Sequence, residues 1–140
     1  MATGALAQER EWIFMTNETD AFLGFGVPES DDSGITFSCT MQSGDIRMFI
    51  AEGRAQLVPG NMIQLGLRAG GKDFSYRAEV LPNEEAGIPS LQAGLTPDDP
   101  LFTTLKSSDR FGIVINGEAE MFPLAGSDFD SLLRVCRKSA

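Results

Sequence analysis

Two cysteines, Cys39 and Cys136, and a complete lack of histidine bound the chemistry open to this 140-residue chain. Histidine is the commonest general base, a common metal ligand and the usual pH switch near neutrality, so its absence removes most familiar catalytic sites together. Nucleophilic catalysis by serine or cysteine would have to draw its base from Lys72, Lys106 or Lys138. No Ser-x-x-Lys spacing occurs. The thiols show no Cys-x-x-Cys pairing, and two isolated cysteines without histidine do not complete a zinc site.

The cysteines have a structural reading instead. Cys39 falls on the apolar face of an expected strand, and Cys136 on the apolar stripe of an expected terminal helix. A bridge between them closes a loop of about two thirds of the chain, worth up to about 4–5 kcal/mol by loop-closure entropy. The alternative is two separate buried thiols acting as small hydrophobes.

Carboxylates are the other abundant reactive groups. Asp31-Asp32, Glu84-Glu85, Asp98-Asp99 and Asp128 with Asp130 form acidic pairs. Calcium wants six to eight oxygens, and the EF-hand spacing is absent. Solvated turns and helix caps account for each pair, so no metal or cofactor is expected. A carboxylate-based hydrolase would need two acids set across a cleft, which adjacency in sequence does not supply. Gly24-x-Gly26 and Gly66 to Gly71 lack the strand–loop–helix setting of a phosphate loop. Asn17-Glu18-Thr19 matches the three-residue glycosylation acceptor, which matters only in a eukaryotic secretory route. Trp12 with Phe14, Phe22, Phe25, Phe37, Phe74 and Phe111 could line a ligand pocket, but core packing is the default for rings at strand positions.

The net charge of −9 comes from 20 acidic and 11 basic residues. Nucleic acids and anionic lipids need clustered Lys or Arg, and here the basic residues are scattered, so neither is an expected partner. Such a charge serves solubility first and a basic partner or cation second. Length predicts one domain, with about two thirds of the unfolded surface buried. No run of about 18 apolar residues exists to span a membrane. Residues 1–10 read as a flexible tail ahead of a single β domain over 11–140. Ala5-x-Ala7 in that tail fits the small-residue pattern before a signal-peptidase cut, although no basic or apolar region stands ahead of it. A trimmed secretion signal is one explanation; an alanine-rich native start is the other. Together with the cysteines, the pattern points to a periplasmic or secreted protein.

The elements that would hold these groups are mostly strands. Fifteen Gly, seven Pro and ten Phe suit a turn-rich β protein. Strands are expected at 12–15 and 22–27, with 28–34 a loop by its punctuation. Ile35, Phe37, Cys39 and Met41 alternate with Thr36, Ser38 and Thr40, and Ile46, Met48 and Ile50 alternate with Arg47 and Phe49. These two runs make a hairpin. Ile63, Leu65 and Leu67 return as Phe74, Tyr76, Ala78 and Val80 across a Gly70-Gly71 turn. Phe111, Ile113 and Ile115 return as residues 118–124 across Asn116-Gly117, a pair suited to a type I′ turn.

Residues 82–97, rich in Pro and Gly, are expected to be a long irregular loop. A short helix near 99–106 has Asp99 as its cap and Pro100 at its first position. A terminal helix over 127–138 starts with Ser127 as N-cap and carries Phe129, Leu132, Leu133 and Cys136 as one stripe. The expected fold is mainly β, an antiparallel β-sandwich or partly open barrel of about seven to nine strands, with the last helix covering an open end or an edge.

The ordered series Asp99-Pro100-Leu101, Leu105, the strand 110–115, Phe122-Pro123-Leu124-Ala125-Gly126-Ser127 and the helix ending in Cys136 resembles the tail of small bacterial exported β-domain proteins of the invasion-associated locus B type. The resemblance covers the C-terminal third and implies export and a cysteine bridge. This chain departs from that type by its acidity and its single cysteine pair, so a virulence role is not carried over. The expected function is a non-enzymatic exported module that binds a protein or small-molecule partner or serves an envelope assembly. The alternative is a small-ligand binder with a pocket between sheets, lidded by 82–97.

Overall fold

The structure, a computed structural model, describes residues 10–26, 33–51, 57–82 and 89–138. Residues 1–9 of the N-terminal tail, Asp31-Asp32, Glu84-Glu85 and most of the 28–34 loop lie outside the described residues, as does the 83–88 part of the expected lid.

Among the described residues nine strands and two helices follow in order: β1 (Glu11–Thr16), β2 (Asp20–Gly26), β3 (Ser33–Thr40), β4 (Ile46–Ala51), β5 (Met62–Ala69), β6 (Lys72–Leu81), β7 (Ser90–Leu95), α1 (Pro100–Lys106), β8 (Arg110–Ile115), β9 (Glu118–Pro123) and α2 (Phe129–Cys136). The strands form one sheet in the order β1-β2-β3-β4-β7-β6-β5-β8-β9, every neighbouring pair antiparallel. Of the two expected architectures, the partly open barrel is the one formed: the sheet curls into a half-barrel. Its two edge strands approach where the Trp12 indole N–H donates to the Pro123 carbonyl at 2.8 Å, and Phe25 meets Phe122 edge-on at 5.9 Å.

Period-two alternation in the sequence becomes two faces of this sheet. Trp12, Phe25, Ile35, Ile50, Leu91 and Val80 fall opposite one another in a single row across six strands, and all are buried. Both helices add to that face. Phe129 of α2 lies 5.2 Å from Phe37, 5.6 Å from Trp12 and 5.9 Å from Phe102 of α1, ring centre to ring centre. Such aromatic pairs contribute about 0.5–1.5 kcal/mol each beyond the area they bury.

The terminal helix therefore does more than cover an edge. It packs on β2 and β3, and the Cys39–Cys136 disulfide joins it to β3 with a Cα separation of 5.9 Å. The alternative of two free buried thiols is excluded.

Two expectations need correction. Residues 90–95 are not irregular: they form β7, inserted between β4 and β6. Leu91, Ala93 and Leu95 alternate inward there, a short signal masked by Pro89, Gly94 and Pro97 around it. The N-cap of α2 is Asp128, whose carboxylate accepts from the Ser131 N–H at 3.1 Å, and the helix runs 129–136 rather than 127–138. Ser127 instead donates its hydroxyl to the Leu124 carbonyl at 2.7 Å, tightening the turn one step earlier. For α1 the expected cap holds: Asp99 accepts from the Leu101 N–H at 2.9 Å, with Pro100 at the first position.

Candidate functional site: an outward groove at Arg47

Antiparallel register sends every second residue of β1–β4 and β7 away from the core, and those residues make a second row. Met15, Phe22, Ser38, Arg47 and Gly94 stand opposite one another across five strands. Beside them runs the row Gly24, Thr36, Phe49, Gln92, Glu79. Both rows mix small residues (Ser38, Gly94, Gly24, Thr36) with large ones (Phe22, Arg47, Phe49), so the surface is furrowed rather than flat. Gly94 deepens the furrow, with no atom within 4 Å of where a β-carbon would stand.

Two grooves result, each of about 440 Å³. The first is lined by Asp20, Phe22, Ser38, Thr40, Phe49 and neighbouring residues of the β3–β4 turn. The second passes over the ends of β4 and β7 between Tyr76, Gly94, Thr96 and Asp99. They share Asp45 and Arg47 as a common wall. Among the described residues neither Asp45 nor Arg47 forms an ion pair. Both are exposed, while Phe22 and Phe49 are half-buried.

The second groove opens because β6 and β7 part company. They pair only over Glu79–Leu81 and Ser90–Gln92, whereas β6 continues along β5 back to Lys72 and β7 continues along β4 to Leu95. Tyr76 stands where the two strands diverge. Its hydroxyl donates to Asp99 Oδ1 at 2.8 Å, and the same oxygen caps α1. Burial, then the hydrogen bond to Asp99 and its negative charge, push the Tyr76 phenol well above its ordinary value of 10.0, since each disfavours the phenolate. Tyr76 and Asp99 thus act as a fixed wall.

The residues singled out from sequence are distributed widely. Trp12, Phe25, Phe37 and Phe111 are core, Phe14 and Phe74 are half-buried against it, and Phe22 lines the outer groove. Asp98-Asp99 divides into an exposed residue and the helix cap. Asp128 caps α2, while Asp130 takes the Lys106 ammonium at 2.8 Å. Asn17 is exposed in the β1–β2 turn, its amide oxygen accepting from the Thr19 and Asp20 N–H groups at 2.8 Å each. Among the described residues, no three of His, Cys, Asp and Glu gather as a metal site.

Sequence reasoning passed over Asp20, Asp45, Arg47, Phe49 and Tyr76 as site residues. The available signal was Phe49 on the outward half of the β3–β4 alternation, an apolar ring beside Ser38 and Arg47 where a solvated sheet face would carry a polar residue. Comparison with protein families, with curated proteins and with solved structures finds no match to this chain.

Proposed function

We propose that the chain is an exported, non-enzymatic binding domain whose contact surface is the outer face of β2, β3, β4 and β7. One observation carries this reading. The aromatic side chains of the interior pack against one another and against both helices, while Phe22, Phe49, Arg47 and Asp45 turn outward around grooves large enough to take a ligand. The Cys39–Cys136 bridge supports export, because such bonds persist in oxidising compartments. Among the described residues no helix is long and apolar enough to cross a membrane. The resemblance of the C-terminal third to small exported bacterial β-domain proteins agrees with the same address.

The lack of histidine supports a binding role over a catalytic one. So does the engagement of Asp99 by both Tyr76 and the first turn of α1.

Hydroxyl-radical footprinting tests the surface whatever its occupant. Labelling in the intact producing cell is compared with labelling of the purified protein. Protection of Phe22 and Phe49, with Met62 and Met121 labelled equally in both, is the expected result. Equal labelling of Phe22 and Phe49 in the two settings would remove this face as the binding site.

A further inference from the structure

We infer that the grooves flanking Arg47 bind a neutral, hydroxyl-rich ligand, namely consecutive rings of a glycan chain lying across β2, β3, β4 and β7. This rests on the reading of that face as the binding surface and adds the ligand class.

Charge narrows the choice first. Arg47 projects from a lane whose walls carry Asp20 and Asp45 on one side and Asp99 on the other. A simple anion meets those three carboxylates, and a simple cation meets the guanidinium. A neutral polyol suffers neither repulsion. Each of its hydroxyls both donates and accepts, so it can give to a carboxylate and take from a guanidinium within one site. The hydroxyls of Ser38, Thr40 and Ser43 in the same groove extend that capacity.

Apolar shape narrows it further. Phe22 and Phe49 line the first groove on either side of Ser38: Phe22 is its register partner, and Phe49 stands one row along on β4. Half-buried rings beside open space present apolar surface with a fixed position. A pyranose has C–H groups clustered on its faces and hydroxyls around its rim, the arrangement that matches rings on the floor and polar groups on the walls.

The backbone argues against a peptide. Extended peptides bind by adding a strand to a sheet edge, where unpaired N–H and C=O groups remain. Along the second groove the Ala93–Leu95 stretch of β7 has no β6 partner, but the first groove lies on a sheet face where β2, β3 and β4 pair with neighbours on both sides. What the face offers is side chains alone. The two grooves also adjoin at Asp45 and Arg47 and are open to solvent, which suits the interior of a chain rather than an enclosed monosaccharide.

The test uses the intact, disulfide-bonded protein on an immobilised array of neutral plant, fungal and bacterial glycans, with titration calorimetry on any soluble glycan that binds. The expected result is binding that changes less than about twofold as ionic strength is raised, since no ion pair carries it. Phe49→Ala and Phe22→Ala each weaken it about tenfold. Met121→Ala, at an exposed residue of β9, leaves it unchanged. Circular dichroism of each variant confirms that the sheet is intact. Absence of binding across the array overturns the inference, as does binding that survives Phe49→Ala in a folded protein. Strongly salt-dependent capture of a Lys/Arg-rich peptide, abolished by Asp45→Asn with no glycan bound, overturns it in favour of a basic partner. If the array is silent while footprinting still shows Phe22 and Phe49 protected in cells, only the glycan assignment falls. If footprinting shows no protection, the binding face itself falls.

Discussion

The backbone N–H of Gln42 donates to the Val135 carbonyl at 2.8 Å, and so ties the β3–β4 turn to the last turn of α2. Two residues on, the Gly44 N–H donates to the Cys136 carbonyl at the same distance. A helix leaves its final carbonyls without partners of its own, and here a distant turn supplies them. The disulfide from Cys39 reaches the same end of α2. Three links therefore converge on one helix turn, beside the outer groove that Cys39 and Ser43 help to line.

Removing the covalent link should be costly and cooperative. The paired substitution Cys39→Ser with Cys136→Ser should lower unfolding free energy by about 2–4 kcal/mol in urea titration, given a bridge across 97 positions. A change below about 1 kcal/mol would show that the hydrogen bonds and aromatic packing hold α2 without it.

Gly44 is sensitive for two separate reasons. Its φ is +78°, and a β-carbon there would come within 3.3 Å of the Lys138 β-carbon. Gly117 shares the positive φ, at +82°, but faces open space. Gly44→Ala should cost about 1–3 kcal/mol and Gly117→Ala distinctly less, both read from denaturation midpoints at constant m. Equal losses would mean that crowding against Lys138 is immaterial.

Tyr76 is the single tyrosine, so phenolate absorbance reports on it alone. The folded protein should titrate well above pH 10, and the urea-unfolded chain near the ordinary value of 10.0. The sign follows from proton linkage. Above about pH 10 the unfolded chain releases the phenolic proton while the folded one keeps it, so the unfolded state binds fewer protons and stability falls as pH rises. That contribution is fully present below pH 10 and is lost on the way to the folded-state titration. Tyr76→Phe should flatten this alkaline decline and cost about 1–2 kcal/mol near neutrality by leaving Asp99 one donor short.

Phe129 joins three rings, Trp12, Phe37 and Phe102. Phe129→Ala should cost about 3–5 kcal/mol and shift the emission of Trp12, the lone tryptophan, to longer wavelength as water enters. Phe49→Ala, on the opposite face, should cost much less and leave that emission unchanged. Similar losses for both would contradict the division of the sheet into a packed face and a groove face.

The Lys106–Asp130 pair joins the two helices at the surface, and the Lys106 ammonium holds the Asp130 carboxyl below its ordinary value. Its contribution is present above the carboxylate's unfolded titration and lost as pH falls through the folded one. Both groups are well exposed, so a double-mutant cycle with Lys106→Met and Asp130→Asn should show a coupling that fades with added salt. A coupling unaffected by salt would point to packing of the aliphatic stems.

Much of this molecule was legible in local pattern. The alternations at Ile35–Met41, Ile46–Ile50 and Phe111–Ile115 marked strands and their inward faces, because a side-chain period of two is a property of the extended backbone itself. Asn116 and Gly117 marked their turn, and both take positive φ, 52° and 82°. The stripe ending in Cys136 and the alternation through Cys39 placed both sulfurs inward, which made the bridge foreseeable. Asp99 and Pro100 announced α1. What failed locally was β7, where only Leu91, Ala93 and Leu95 carried the pattern among helix- and strand-breaking neighbours.

Sequence alone therefore determined which residues face inward, where the chain turns and that its two cysteines could meet. Tertiary structure decided the rest. The insertion of β7 between β4 and β6, the parting of β6 from β7 around Tyr76, and the alignment of Phe22, Ser38, Arg47 and Gly94 into one row depend on which strands become neighbours. Strand neighbourhood is settled by burying one apolar face of the whole curled sheet against two helices. No local window of residues records that choice, because the pairing energy belongs to segments far apart in the chain.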